Sequence, residues 1–177
     1  MNKAILERAR KIKLIAMDID GVLTKGELII LNSGEEVKIW DIRDRLAYTL
    51  IKKSGLDIKL AWITGRKSEE VSARAKELKI DYLYQKMAEK LTPYKDILKK
   101  SRLTPEQTAY IGDDWLDIPV LKRAGFSVCP QNTPREVSKY AHYITKVNGG
   151  YGVLREVVEI VLMAQGVFEK TLSIYDV

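Results

Sequence analysis

The sequence is poor in the residues that build disulfide frameworks and zinc sites. Among its 177 residues there is one cysteine and one histidine, which excludes an internal disulfide framework and a Cys/His zinc cluster. A single cysteine suits a reducing compartment. Cys129 lies in an apolar segment and His142 opens a predicted strand, so we expect both to be packing residues.

Long apolar runs are also missing. No segment approaches the length of a membrane span, and residues 1–13 mix Lys, Arg and Glu with scattered apolar residues, unlike a signal peptide. The chain has no Ser/Gly linkers, repeats or low-complexity tracts. We therefore expect a cytoplasmic protein with no membrane partner, folded as a single domain over residues 1–177.

The charge is positive but evenly mixed. The chain carries 30 Lys and Arg against 24 Asp and Glu, a net charge of +6, and both signs are interleaved along the predicted helices. This mixing is typical of solvated helix faces, whereas a nucleic-acid interface would need a basic patch. We expect no nucleic-acid partner, and an anionic small substrate would also suit a basic protein.

Short apolar segments alternate with stretches of helical periodicity. The predicted strands of this alternation are 13–18, 57–63, 82–84, 108–111, 126–129 and 142–145. The predicted helices include 42–53, 115–124 and 152–165. Such alternation predicts an α/β fold with a doubly wound, mostly parallel Rossmann-like sheet.

Residues 26–41 interrupt this alternation. Two strand-like segments, 27–31 and 36–40, flank the turn residues Asn32-Ser33-Gly34, which predicts a small β-hairpin. Residues 28–31 are too apolar for a freely solvated ribbon. We therefore expect the hairpin to act as a flap that packs against another subunit.

Carboxylates follow the strands at the points where the apolar runs stop. The first strand ends in Asp18 and Asp20, and Gly21 then allows a sharp turn. The strand at 108–111 leads into a second acidic group, made of Asp113, Asp114 and Asp117. Because the carboxyl ends of parallel strands face one crevice, these side chains predict a hard oxygen site that suits Mg²⁺.

A hydroxyl and an ammonium complete this group of polar residues. Thr64 follows the strand at 57–63, and Lys90 precedes a predicted helix. Thr64 can donate a hydrogen bond and Lys90 supplies a point charge, as a phosphoryl group requires. Positioning and charge neutralisation of this kind are what phosphoryl transfer needs.

These motifs resemble those of the haloacid dehalogenase superfamily of phosphotransferases. The matching elements are Asp18-Ile19-Asp20-Gly21-Val22, Thr64-Gly65-Arg66, Lys90 and Gly112-Asp113-Asp114-Trp115-Leu116-Asp117. The early hairpin, Gly34-Glu35-Glu36 and Gly149-Gly150-Tyr151-Gly152 are similar to the 3-deoxy-D-manno-octulosonate (KDO) 8-phosphate phosphatases. The resemblance spans about residues 12–168 and implies a haloacid dehalogenase-like fold without a large cap domain, in a homotetramer whose hairpins meet.

The resemblance also implies a mechanism for hydrolysing KDO 8-phosphate in lipopolysaccharide sugar synthesis. Asp18 would attack phosphorus and form an aspartyl phosphate, and Asp20 would act as general acid and then as general base. Asp18, the Asp20 backbone carbonyl and Asp113 would hold Mg²⁺. Thr64 and Lys90 would bind the phosphoryl oxygens. The implied supporting residues are Gly65, Asp114 and Asp117, and the implied substrate contacts are Asp20, Asp41, Arg43, Asp44, Arg66 and Lys90.

Arg45 departs from the family pattern, because it replaces a glycine that lets the backbone approach the substrate. This departure leaves open another substrate, such as a nonulosonate 9-phosphate. A non-catalytic oligomeric binding protein is an alternative of another class. The glycine-rich segment 148–152 and the C-terminal tail 166–177 are candidates to close over a neighbouring subunit's site.

Overall fold

A parallel sheet of six strands forms the centre of the protein, which is described here from a computed structural model of residues 2–176. Met1 and Val177, the ends of the predicted domain, lie outside the described residues. In chain order the strands are β1 (Leu14–Met17), β2 (Ile29–Ile30), β3 (Glu36–Val37), β4 (Lys59–Ile63), β5 (Tyr82–Tyr84), β6 (Thr108–Ile111), β7 (Phe126–Cys129) and β8 (Tyr143–Ile144). The sheet order is β5-β4-β1-β6-β7-β8, and each neighbouring pair is parallel.

Helices cover both faces of this sheet. They are α1 (Lys3–Ala9), α2 (Ile42–Ser54), α3 (Glu69–Leu78), α4 (Leu91–Ser101), α5 (Ile118–Leu121), α6 (Arg135–Ser138), α7 (Val153–Ala164) and α8 (Phe168–Leu172). Ile15 and Met17 of β1 belong to the core shared with α2 and α7, whereas Leu14 and Ala16 belong to the core shared with α4 and α5. The predicted doubly wound α/β fold is confirmed.

The hairpin is shorter than predicted. β2 and β3 pair antiparallel over two residues each, where the sequence indicated strands at 27–31 and 36–40. The second strand stops because its chain turns toward α3, where Lys38 N and Trp40 Nε1 both donate hydrogen bonds to the Glu70 carboxylate. The apolar side chains left exposed on the hairpin are Leu28, Ile30, Leu31 and Ile39.

The predicted helix at 115–124 is divided into two short pieces. A 3-10 turn spans Trp115–Asp117, and α5 follows it. The Asp117 carboxylate turns back to accept hydrogen bonds from Asp113 N and Asp114 N. This back-bonding tightens the first turn and aims the Asp117 side chain at the end of β6.

The glycine-rich segment 148–152 and the C-terminal tail, which are candidates to cover a neighbouring subunit's site, both contact other parts of their own chain. α8 in the C-terminal tail contacts α2 and α7 and buries Thr171. In the glycine-rich segment, Gly150 N donates to Val22 O at 2.9 Å. A Cβ on Gly149 would lie 1.8 Å from Gly21 O, so only glycine allows this approach.

Among residues 2–176, none of the helices combines the length and the apolar character that crossing a bilayer requires.

Candidate active site

Three carboxylates from two adjacent strands meet at one edge of the sheet. Asp18 directly follows β1, Asp113 lies two residues after β6, and Asp117 ends the 3-10 turn. Each offers an oxygen, and these three oxygens lie within 4.8 Å of one another. The cause is the parallel pairing of β1 with β6, which brings both carboxyl ends to the same place.

Lys90 lies between two of these carboxylates. Its Nζ is 2.8 Å from Asp18 Oδ2 and 2.7 Å from Asp117 Oδ1, and its side chain is 2% exposed. Burial alone would lower the pKa of Lys90, but the charges of Asp117 and Asp18 outweigh it and raise the pKa. The site therefore holds a fixed, buried ammonium beside Asp18.

Both carboxylate oxygens of Asp117 accept hydrogen bonds from neighbouring groups. Oδ1 accepts from Lys90 Nζ and from Tyr110 OH at 2.6 Å, while Oδ2 accepts from the two backbone N–H groups of Asp113 and Asp114. Tyr110 was not foreseen, although its hydroxyl in a fully buried strand signals a polar partner. Because both Asp117 oxygens are occupied, Asp117 is a support for the site and a poor candidate for a metal ligand.

Asp18 and Asp113 keep free oxygens. The Oδ1 atoms of both are buried and have no hydrogen-bond partner among the described residues. Burial raises the pKa of Asp18 to about 7 against the opposing charge of Lys90. Burial, followed by the charges of Asp18 and Asp117, raises the pKa of Asp113 to about 8. The unpaired carboxylate oxygens of Asp18 and Asp113 fit a divalent cation that prefers oxygen.

Asp113 lies so close to residue 21 that this position requires glycine. The φ of Gly21 is +92°, and a Cβ there would lie 2.0 Å from Asp113 Oδ2. The loop that follows Asp20 therefore closes directly onto the second acidic segment, as only glycine permits.

Asp20 is held by the hairpin. Its side chain, 26% exposed, forms an ion pair with Lys38, whose ammonium also lies 3.1 Å from Glu36. We did not anticipate Lys38 as a site residue. A signal was present in the alternation of Glu36, Lys38 and Trp40, which places these three side chains on one face of an extended segment.

Thr64 and Arg66 lie at the neighbouring strand end. Thr64 is buried after β4, and its Oγ1 accepts from Arg66 N at 3.3 Å. The Arg66 guanidinium is 2.6 Å from Glu36 on the hairpin. Its hydrogen bond to the Glu36 carboxylate is the main cause of the lowered pKa of Glu36. Gly65 is exposed between the two.

Asp41, Arg43 and Asp44 form a separate group at the start of α2. Asp41 caps α2 and lies 2.6 Å from the Arg43 guanidinium. Asp44 is buried and accepts a hydrogen bond from Arg155 N in the first turn of α7. Within residues 2–176, no hydrogen bond or ion pair joins these three side chains to the Asp18 group. Arg45 is half exposed and lies 4.0 Å from Glu77 on the surface.

Asp114 is exposed, and its side chain accepts from Trp115 N. Trp115, next to it in the chain, is 66% exposed. Trp62 is buried, and Trp40 stacks on it at 5.5 Å.

The fold and this cluster define a class of protein, the haloacid dehalogenase-like hydrolases. The profile of that family matches residues 80–157, which include Lys90, Asp113 and Asp117. The 3-deoxy-D-manno-octulosonate 8-phosphate phosphatase of Yersinia pestis is 38% identical over 93% of this chain and 87% of its own. The same enzyme of Escherichia coli K12 is 39% identical over 92% of this chain and 85% of its own.

A solved structure agrees with these sequence relatives. The 3-deoxy-D-manno-octulosonate 8-phosphate phosphatase of Moraxella catarrhalis, crystallised with magnesium, phosphate and KDO, superposes with a TM-score of 0.94 at 38% identity and covers 99% of both chains. The chain belongs to the 3-deoxy-D-manno-octulosonate 8-phosphate phosphatase family, as its motifs predict.

Proposed function

We propose that the protein is a Mg²⁺-dependent phosphatase that hydrolyses KDO 8-phosphate to KDO and phosphate in lipopolysaccharide sugar synthesis. The observation that carries the proposal is the buried Asp18–Lys90–Asp117 arrangement beside the unpaired oxygens of Asp18 and Asp113. The family relatives and the magnesium, phosphate and KDO in the Moraxella structure support it.

Asp18 is the proposed nucleophile. A carboxylate oxygen of Asp18 forms a bond to phosphorus while the bond from phosphorus to the sugar oxygen breaks, which gives an aspartyl phosphate. Water then attacks this phosphate and restores Asp18. The ion pair with Lys90 lowers the pKa of Asp18 and opposes the effect of burial, and so favours the ionised nucleophile.

Asp18, Asp113 and the backbone carbonyl of Asp20 would hold Mg²⁺. The ion, when bound, neutralises negative charge so that an anionic carboxylate and an anionic phosphate can approach each other. Asp117 and Asp114 support this part of the site through their own backbone contacts.

Asp20 is the proposed general acid and base. Its position two residues after the nucleophile, at a partly exposed point of the loop, suits proton transfer to the departing sugar alcohol and then from water. Thr64, at the adjacent strand end, and Lys90, at the start of α4, are proposed to bind the phosphoryl oxygens, with Gly65 as a supporting residue.

Arg66, with Arg43 and Asp41, is proposed to contact the sugar acid. The guanidinium of Arg66 is suited to bidentate recognition of a carboxylate and is about half exposed. The burial of Asp44 against α7 leads us to propose a positioning role for it, in place of the predicted substrate contact. Arg45 is half exposed at the surface near Glu77. Its position therefore does not favour a nonulosonate 9-phosphate as the substrate.

We also propose that the chain acts as one domain in the cytoplasm and assembles as a homotetramer through its hairpin flap. The exposed apolar side chains of residues 28–39 support an interface there. We propose no nucleic-acid partner and no membrane partner.

The decisive assay measures phosphate release from KDO 8-phosphate, with Mg²⁺ and with EDTA, beside a panel of sugar phosphates that includes a nonulosonate 9-phosphate. We expect KDO 8-phosphate to be preferred, and EDTA or Asp18→Asn to abolish turnover. The matched control is Asp57→Asn, which removes a carboxylate that is 88% exposed. Preference for another sugar acid would overturn the substrate, and Mg²⁺ binding without any turnover would favour the non-catalytic alternative.

A further inference from the structure

Lys38 is a buried cation in a hairpin that is otherwise exposed. Its side chain is 4% exposed and its ammonium contacts two carboxylates, those of Asp20 and Glu36. A buried ammonium is costly unless it is paired, so the position of this group is tied to both carboxylates. Burial would lower the pKa of Lys38, but the hydrogen bonds and charges of Asp20 and then Glu36 raise it.

The backbone of Lys38 is anchored as firmly as its side chain. Lys38 N donates to Glu70 Oε2 at 3.0 Å, and Trp40 Nε1 donates to Glu70 Oε1 at 2.9 Å. Glu70 lies in the first turn of α3, and Trp40 stacks on Trp62 of β4. The lysine is therefore held by the rigid sheet and helix layers and does not depend on the hairpin tip.

Asp20, by contrast, depends on Lys38. Among the described residues, Lys38 is the one side chain that hydrogen bonds to the Asp20 carboxylate. On its other side Lys38 pairs with Glu36, which pairs with Arg66. These ion pairs thus form a chain of alternating charge from Asp20, in the loop after β1, to Arg66, the proposed sugar contact.

We propose that Lys38 is a positioning residue for the general acid Asp20, an inference that rests on the proposed function. Lys38 donates to Oδ1 of Asp20 and so fixes the orientation of the carboxyl group that, as general acid, passes a proton to the sugar oxygen. As the Asp18 oxygen bonds to phosphorus and the phosphorus–sugar oxygen bond breaks, the sugar oxygen takes this proton and leaves as the alcohol. Asp20 is then the carboxylate that receives a proton from water in the second step.

The test compares leaving groups in Lys38→Met. A sugar alcohol must be protonated as it leaves, whereas p-nitrophenolate departs without a proton, and kcat/KM reports the steps up to that departure. We expect kcat/KM to fall about 10²-fold for KDO 8-phosphate and little for p-nitrophenyl phosphate, with partial recovery in Lys38→Arg. The matched control is Lys76→Met, an exposed lysine on α3.

The outcomes separate the two proposals. An equal loss on both substrates, or no loss on either, overturns the positioning role, and the p-nitrophenyl phosphate rate shows that the variant is folded. If the wild type prefers another sugar phosphate, the proposed substrate fails, and the same ratio measured on that phosphate decides the role of Lys38. A wild type inactive on every alkyl phosphate overturns both.

Discussion

The buried carboxyl of Asp44 should make stability depend on pH. Asp44 is 4% exposed, and burial, opposed by hydrogen bonds from the α7 backbone, raises its pKa from 3.8 to about 7. Between about pH 4 and pH 7 the native state therefore binds a proton that the unfolded chain has released, so the unfolding free energy falls as pH rises. Above pH 7, ionisation of the buried Asp44 carboxyl lowers the unfolding free energy by about 4 kcal/mol in full.

Asp44→Asn removes this charge and keeps an oxygen for Arg155 N. Any cost of the new amide is independent of pH, so the readout is how the stability difference from wild type changes with pH. We expect urea unfolding to show that the variant gains about 2–3 kcal/mol relative to wild type between about pH 5 and about pH 8.5. Asp57→Asn, at an exposed site, should show no such change. A constant difference for Asp44→Asn would mean that Asp44 is ionised throughout, and would refute the reasoning.

Three further perturbations test the site itself. Lys90→Met should lower the unfolding free energy by about 3–5 kcal/mol, because it leaves Asp18 and Asp117 buried without their cation; a loss below about 1 kcal/mol in urea unfolding would contradict this. Gly112→Ala places a Cβ 2.5 Å from Asp117 Cγ and should cost about 1–3 kcal/mol together with Mg²⁺-dependent activity, whereas an unchanged melting temperature and rate would show that Asp117 can move. The pKa of Asp113 is raised to about 8, so Mg²⁺ binding at neutral pH should release protons and should become stronger as the pH rises through 7 and 8. Calorimetry in two buffers measures the proton release. Binding without proton release would show that the Asp113 carboxyl is already ionised.

The strands of the sheet were predictable because they are apolar runs buried on both faces. The predicted segments 82–84, 108–111 and 126–129 coincide with β5, β6 and β7. Such runs carry a strong local signal, and the polar residues that follow them mark the strand ends. For this reason Asp18, Thr64 and Asp113 could be selected from sequence as neighbours in one crevice.

Features set by distant contacts were not predictable in this way. Lys38 finds its partners in Asp20 and Glu70, and no periodicity links these positions. α8 was not predicted, since a five-residue helix has little intrinsic stability and forms through packing on α2 and α7. The tight turn at Asp117 depends on a carboxylate that bonds backward, which a helical pattern does not reveal.

The central place of β1 in the sheet bears on how the enzyme is made. β1 is translated before both of the strands that pair with it, β4 and β6. Gly150, which closes on the loop after Asp20 through Val22 O, is translated later still. The carboxylates therefore come together only after β6 and the 3-10 turn that follows it have been synthesised, and a nascent or prematurely terminated chain that lacks these elements has no assembled site.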